Sequence, residues 1–364
     1  MKKNKQRRNV ENRNHTKRTI SVMALFMAGI ILTACGGRSG EMTAAGMAAV
    51  GEKNYEEALT NFEKAVVKGE DLELAYRGQG IAYMGLADYE SAIQSFEKAL
   101  DQAGMFPSDL EYDINFYLAT ARYKSGDTTG AIETLDAIVD LKDKNEDAYF
   151  LRGSAWMKLG EFDKGKADFD KAIELSGTNT EMVIDVYEVL AGYDYVEEGK
   201  SYLNQILADH LKDMTDYEKG KVYFYLEDYE NARNSLETAK SSQKKQDATV
   251  ILFLGRSYEA LGDTEYAAGL YSSYLQENDP DAEIYNQLGL CKLEAEDYQA
   301  ALDAFKAGLA IENNPFVQSL SYNEIVAYEH LGDFDTAKTL MQQYLAAYPD
   351  DEDAKRENIF LKSR

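Results

Sequence analysis

"ADYESAIQSFEKAL", residues 87 to 100, sets an acid ahead of an aromatic, a small residue three places after that aromatic, and a large apolar residue four places further on. Steps of three and four put Tyr89, Ala92 and Phe96 on one face of an α-helix. The phrase returns as "KNYEEALTNFEKAV" from 53, "GEFDKGKADFDKAI" from 160, "EDYENARNSLETAK" from 227, "EDYQAALDAFKAGL" from 296 and "GDFDTAKTLMQQYL" from 332. Weaker copies begin at 126, 193 and 262. The small residue recurs at Ala58, Ala92, Ala131, Gly165, Gly199, Ala232, Ala267, Ala301 and Ala337, at intervals of 34, 39, 34, 34, 33, 35, 34 and 36. Nine copies of a unit of this size predict a repeat protein, in which each unit buries its apolar face only by stacking on its neighbours.

Ahead of each copy lies a second helical phrase: Tyr76-x-x-x-Gly80-x-x-Tyr83, Tyr149-x-x-x-Gly153-x-x-Trp156, Ile251-x-x-x-Gly255-x-x-Tyr258 and Tyr285-x-x-x-Gly289. Its small residues belong where two helices approach closely, and its aromatics belong in the gaps between hairpins. Between the phrases, Gly126-Asp127, Gly262-Asp263 and Gly332-Asp333 offer a glycine to end one helix and an acid to cap the next. The pattern resembles the tetratricopeptide repeat over about residues 40 to 349. That resemblance implies paired antiparallel helices stacked into a right-handed superhelix with a concave groove. The expected fold is therefore an all-α, right-handed α-solenoid of about nine helix-turn-helix repeats over 41–349. The stretch "DDEDAKRENIFLKSR", 350–364, is read as an amphipathic helix whose polar outer face caps the stack. Departures fall at "DQAGMFPSDL" (101–110), at "ENNPFVQS" (312–319), and in repeat five, where Tyr187 stands at the glycine position.

The N-terminus is of another kind. Eight basic side chains and one acid, Glu11, lie within residues 1–34, and Ile20 to Leu32 is an uncharged run of thirteen residues. As a helix that run reaches about 20 Å, short of the roughly 30 Å hydrocarbon core of a bilayer. Basic, then apolar, then small is the order of an export signal. Leu32-Thr33-Ala34-Cys35 resembles the bacterial lipobox, which implies cleavage after residue 34 and lipidation of Cys35. Residues 35–40 then form a short lipidated tether, and the protein is expected at the extracytoplasmic face of the cell membrane.

Charge narrows the partners. The chain holds 39 basic and 64 acidic side chains; without residues 1–34 the numbers are 31 and 63, a net −32. Such a surface repels nucleic acid and anionic headgroups and favours basic partners. Chemistry-bearing patterns are scarce. Beyond residue 34 there are two histidines, His210 and His330, with no metal-ligand spacing, and one cysteine besides Cys35, Cys291, set in an apolar helix. No nucleophile elbow, Walker loop or dinucleotide fingerprint occurs. "DDED", 350–353, is the nearest approach to a calcium loop. No cofactor, metal or enzymatic activity is expected.

What remains is surface. On the first helix of each repeat the face i, i+4, i+7 reads Arg77/Ile81/Met84, Tyr117/Ala121/Lys124, Phe150/Ser154/Met157, Ile184/Glu188/Ala191, Tyr217/Lys221/Phe224, Leu252/Arg256/Glu259, Asn286/Leu290/Leu293 and Tyr322/Val326/Glu329. Aromatics and arginines are typical anchors, so Arg77, Tyr117, Phe150, Tyr217, Lys221, Arg256, Asn286 and Tyr322 are the candidate partner-binding residues. Arg77, Lys124, Lys221 and Arg256 are scattered, with no adjacent set to make the two-carboxylate clamp by which some tetratricopeptide proteins hold a peptide C-terminus. The sequence thus points to a membrane-anchored scaffold or adaptor for protein or peptide partners. An assembly or pilotin-type factor for a pilus, secretion or envelope complex is the alternative, and an accessory subunit of an envelope polysaccharide enzyme a more distant one.

Overall fold

The computed structural model describes residues 40–104, 108–243 and 245–364, so the signal and lipobox readings on residues 1–39 lie outside the described residues. Within them the chain is helix and turn, with no strand. Nine helical pairs follow one another: α1 (Glu41–Gly51) with α2 (Tyr55–Lys68), α3 (Leu72–Gly85) with α4 (Tyr89–Leu100), α5 (Asp109–Ser125) with α6 (Thr128–Leu141), α7 (Glu146–Lys158) with α8 (Phe162–Ser176), α9 (Thr180–Gly192) with α10 (Val196–His210), α11 (Asp216–Tyr225) with α12 (Tyr229–Ser242), α13 (Ala248–Ala260) with α14 (Thr264–Glu277), α15 (Ala282–Glu294) with α16 (Tyr298–Leu309), and α17 (Val317–Leu331) with α18 (Phe334–Ala347). A last helix, α19 (Glu352–Lys362), follows. The chain divides into two compact units, one ending at Tyr202 and one beginning at Leu203, so the boundary falls inside α10.

Each hairpin is clamped at one point. In α4, Ala92 and Phe96 are fully buried, and the Phe96 ring lies against Gly80 of α3, where any Cβ would overlap it. Phe62 does the same to Gly46 and Gly78, Phe169 to Gly153, Leu236 to Gly220, Tyr271 to Gly255 and Phe305 to Gly289. The repeat phrase is thus a ring-on-glycine contact, close packing that no larger residue fits. Repeat five inverts it. Tyr187 on α9 is large and nearly buried, and Gly199 on α10 is small, so a Cβ there would come 2.9 Å from Tyr187 Cδ2.

The turns are equally regular. Just before the second helix of every hairpin sits one residue with positive φ: Lys53, Ala87, Gly126, Gly160, Asp194, Glu227, Gly262, Glu296 and Gly332. Six of the residues that follow are aspartates whose carboxylates accept from the backbone N–H at the third helical position, as Asp88 does from Ser91 at 3.1 Å and Asp127 from Gly130 at 2.9 Å. The Asp88 N–H in turn donates to Tyr83 O at 3.0 Å, and Asp263, Asp297 and Asp333 repeat that bond. One residue thus closes the helix behind it and opens the helix ahead.

The two irregular segments have local explanations. Ser108 caps α5 by accepting from Glu111 N after the 101–104 turn. Asn314 bridges the other, donating to Gly308 O at 2.8 Å and accepting from Phe316 N at 2.7 Å. At the C-terminal end, Ala354 and Leu361 of α19 are buried in a cluster with Ile325, Ala337, Met341 and Tyr344. The exposed side of α19 carries Glu352, Lys355, Arg356 and Lys362, and with them two apolar residues, Ile359 (70 %) and Phe360 (41 %). With Leu361 turned inward, steps of about 100° per residue carry its two predecessors away from the stack.

Candidate functional site: the inward face of the first helices

The glycine contacts define a common register. Three residues before the glycine or its equivalent stand Arg77, Phe150, Tyr217, Leu252, Asn286 and Tyr322. In repeat three the equivalent is Ala119, fully buried against Leu135, so the matching residue is Phe116 and not Tyr117. The 39-residue interval ahead of α5 hides this one-residue shift.

In the first unit most of the expected anchors are packed away. Arg77, 5 % exposed, is ion-paired with Asp113 of the next repeat, and its Cζ lies 5.4 Å from the centre of the Tyr117 ring. Tyr117 is itself buried and stacked on Phe96, centroids 5.7 Å apart. Its hydroxyl has no hydrogen-bond partner, and burial followed by the Asp113 charge pushes its pKa up, against the opposing pull of Arg77. Phe150, 2 % exposed, packs on Phe169 with centroids 6.0 Å apart. Tyr117 and Phe150 are therefore core residues joining hairpins. Their rings fill the space between helices, so neither is a surface anchor as expected.

In the second unit the face is partly open. Lys221 is buried, its Nζ 5.4 Å from the Tyr217 ring centre and 5.7 Å from that of Phe253; Phe224 meets the same Phe253 edge-on at 5.1 Å. Arg256 donates to Glu283 of the next repeat at 2.6 Å. Burial alone would lower its pKa; Glu283, with Tyr271 and Glu259, reverses the sign, so the guanidinium is held charged. Asn323 donates to Asn286 at 2.8 Å, both buried. Tyr322 is half-buried, 5.7 Å from Tyr344. Tyr217 and Tyr322 keep exposed edge; Arg77, Lys221, Arg256 and Asn286 serve the packing of one repeat on the next.

Among the described residues, Glu73 and Asp147 are half-buried carboxyls with no cation beside them. Glu73, in the first turn of α3, has a buried oxygen without a hydrogen-bond partner, and its pKa is raised by burial, then by Glu111 and Asp71. Asp147, in the first turn of α7, is pushed up to about 6 by burial and then by Glu146. Neither was singled out from sequence. The signal was there in composition, since acids occupy the first turns of many helices, but the helix dipole favours an acid there whether or not it meets a partner.

The remaining candidates are structural. Asp351 of "DDED" caps α19 through Ala354 N and accepts from the Tyr344 hydroxyl at 2.7 Å. His330, in the last turn of α17, stacks on Tyr298 at 4.6 Å, and His210 ends α10 with its Nδ1 3.9 Å from Asp213. Cys291 is a buried free thiol. Among the described residues no group of three or more His, Cys, Asp or Glu side chains is placed to hold a metal, and no helix is long and apolar enough to cross a membrane.

Nine helical hairpins in succession, five of them closed by a ring against a glycine, with polar pairs latching one first helix to the next, define a helical-repeat protein of the interaction class. Residues 43–109, 77–146, 116–180 and 217–283 match one tetratricopeptide repeat model, and 292–356 match another. The chain belongs to the tetratricopeptide repeat family. Among relatives, it is 30 % identical over 159 residues to the BBSome complex member bbs-4 of Caenorhabditis elegans, covering 42 % of this chain and 34 % of that one. It is 27 % identical over 164 residues to the TPR repeat-containing protein MJ1428 of Methanocaldococcus jannaschii, covering 42 % and 29 %. The chain thus spans about a third of the length of these relatives. A tetratricopeptide repeat protein from Parabacteroides merdae superposes with a TM-score of 0.48 at 17 % identity, covering 70 % of this chain and 98 % of that one.

Proposed function

We propose that the chain is a membrane-anchored scaffold or adaptor that takes a basic segment of a protein partner on the inward face of its first helices. The observation that carries this is the charge balance of that face. Arg77 and Arg256 are already paired with Asp113 and Glu283, while Glu73 and Asp147 are left half-buried without a cation. A carboxylate held in such a place is destabilised until a cation meets it, and a partner's lysine or arginine is that cation. Scaffolding without catalysis is the mode this reading assigns.

The anchor rests on the sequence Leu32-Thr33-Ala34-Cys35 behind its short apolar run. Processing removes residues 1–34 and leaves Cys35 with two or more acyl chains, enough for stable membrane residence where one chain is marginal. Intact mass of protein extracted from membranes tests it: a mature mass carrying lipid supports the anchor, and a mature mass without lipid, or cleavage unaffected by Cys35→Ala, overturns it. The binding reading is tested by capture from detergent-solubilised membranes, followed by affinity measurement on the captured partner. Asp147→Asn together with Glu73→Gln should weaken binding at least tenfold, about 1.4 kcal/mol, with helicity unchanged. Unaltered affinity would remove this face from the partner's footprint.

A further inference from the structure

The last helix keeps the register of a first helix. On α3, Ala75 and Ala82 lie seven residues apart and are fully buried, and Gly80 stands five residues after Ala75. Ala148, Ala155 and Gly153 repeat this on α7, and Ile284, Cys291 and Gly289 on α15. On α19 the two buried places belong to Ala354 and Leu361, which pack with Ala337, Met341 and Tyr344 of α18. The glycine place then falls on Ile359. In α3, α7 and α15 a ring of the paired second helix, Phe96, Phe169 or Phe305, covers that place. On α19 the described chain leaves it bare, and Ile359 is 70 % exposed. The face that meets the second helix in α3 runs through Tyr76 and Gly80, with Lys98 of α4 5.9 Å from the centre of the Tyr76 ring. On α19 the same row is Glu352, Lys355, Ile359 and Lys362, set at steps of three and four and all exposed.

We propose that this row is a self-association surface: in a pair of copies each α19 lies antiparallel on the other, in the place a second helix takes inside the hairpins. The row is complementary to itself. About a two-fold axis level with residue 357, Glu352 faces Lys362 of the second copy and Lys355 faces Ile359. Acid meets base at both ends, and the Lys355 stem covers the Ile359 side chain. A parallel pair would set Glu352 on Glu352 and Lys362 on Lys362, like charge on like. Within one copy Lys355 already meets Glu352 at 2.7 Å, but the Glu352 side chain is 73 % exposed and has room for a second cation. Phe360, 41 % exposed, flanks the contact. Helices of 11 residues are about 16 Å long and bury less than the roughly 1,200 Å² of a stable interface, so the pairing is transient.

Disulfide cross-linking of the full chain tests the pairing. Facing residues come within the Cα separation of about 7 Å that a disulfide needs, whereas Lys355 of the two copies, or Ile359 of the two, are displaced by about 6 Å along the helix axis. Lys355→Cys and Ile359→Cys are made separately, then oxidised alone and mixed. The wild type, whose Cys291 is buried, sets the background. The mixture should yield more cross-linked dimer than the two variants alone yield together. Adding Lys362→Glu to both variants should abolish that excess, and adding Glu352→Lys as well should restore it, with helical circular dichroism unchanged throughout. No dimer above background in the mixture, as much dimer from either variant alone, or cross-linking indifferent to the charge reversals would overturn the proposal.

Discussion

Asp147 shows how far a single side chain departs from what its position in a helix demands. An acid in a first turn gains from the helix dipole, yet burial and Glu146 raise its carboxyl from 3.8 to about 6. A carboxyl raised on folding adds stability that is complete below its unfolded value and is lost as pH climbs through the folded one. The window here is about pH 4 to 6. Linkage at 1.36 kcal/mol per unit sets a ceiling of about 3 kcal/mol, and partial exposure reduces it to about 1 kcal/mol. Asp147→Asn should therefore flatten the pH 4–7 stability profile and raise stability at pH 7 by about that amount, measured by urea melts at each pH. An unchanged profile would show the carboxyl to be solvated. Ala301 is the opposite case, a residue whose size is its whole role. It is fully buried beside Phe305, so Ala301→Leu overpacks the hairpin and should cost about 1–3 kcal/mol in the same melts.

At the scale of elements, the hairpin turn was legible only where it contains glycine. Gly126, Gly262 and Gly332 announce a left-handed residue, and Gly160 does so in hindsight, but Lys53, Ala87, Asp194, Glu227 and Glu296 adopt the same φ with no sequence mark. They are held there by the bond from the following N–H back to the first helix, as Asp88 N to Tyr83 O and Asp297 N to Lys292 O. A Cβ in this region costs about 1–2 kcal/mol, partly offset by the entropy a glycine loses on folding. Ala87→Gly and Glu296→Gly should each stabilise by about 0.5–1 kcal/mol, and Gly262→Ala should destabilise by a similar amount. Thermal midpoints moving in opposite directions would verify the turn; movement the same way would not. The inward face was less legible than the hairpins. A helical wheel drawn for one repeat shows Arg77 or Arg256 as an available cation, because its partner, Asp113 or Glu283, belongs to the next repeat. The register of repeat three was lost for a different reason. The glycine that marks it elsewhere is Ala119 here, and the irregular interval before α5 removes the count that would have replaced it.

For the whole molecule, two consequences of scale are separable. The acidic excess acts at a distance and without regard to fold, so a basic partner should associate more slowly as salt is raised and the Debye length shrinks to about 8 Å; an on-rate indifferent to salt would argue against steering. Stability, by contrast, is built from near neighbours. In the first unit each hairpin packs on the hairpin that follows it, through clusters such as Phe62, Phe96, Ile114 and Tyr117. A repeat stack of this kind has a stability close to the sum of local terms and interfaces, and needs no contact between distant repeats. Ending the chain at Thr178, after the α8 terminus at Ser176 and the positive-φ Gly177, keeps four hairpins and their three interfaces intact. It uncovers the side of α7 and α8 that α9 covers, together with Phe162, Lys166 and Asp170 of α8, which meet Tyr195 and Tyr202. The fragment 40–178 should therefore retain helical circular dichroism per residue close to that of the full chain and unfold cooperatively at a lower temperature. Loss of helicity in this fragment would mean that α9 and the chain beyond it supply stability to hairpins they do not touch, and the nearest-neighbour account would fail.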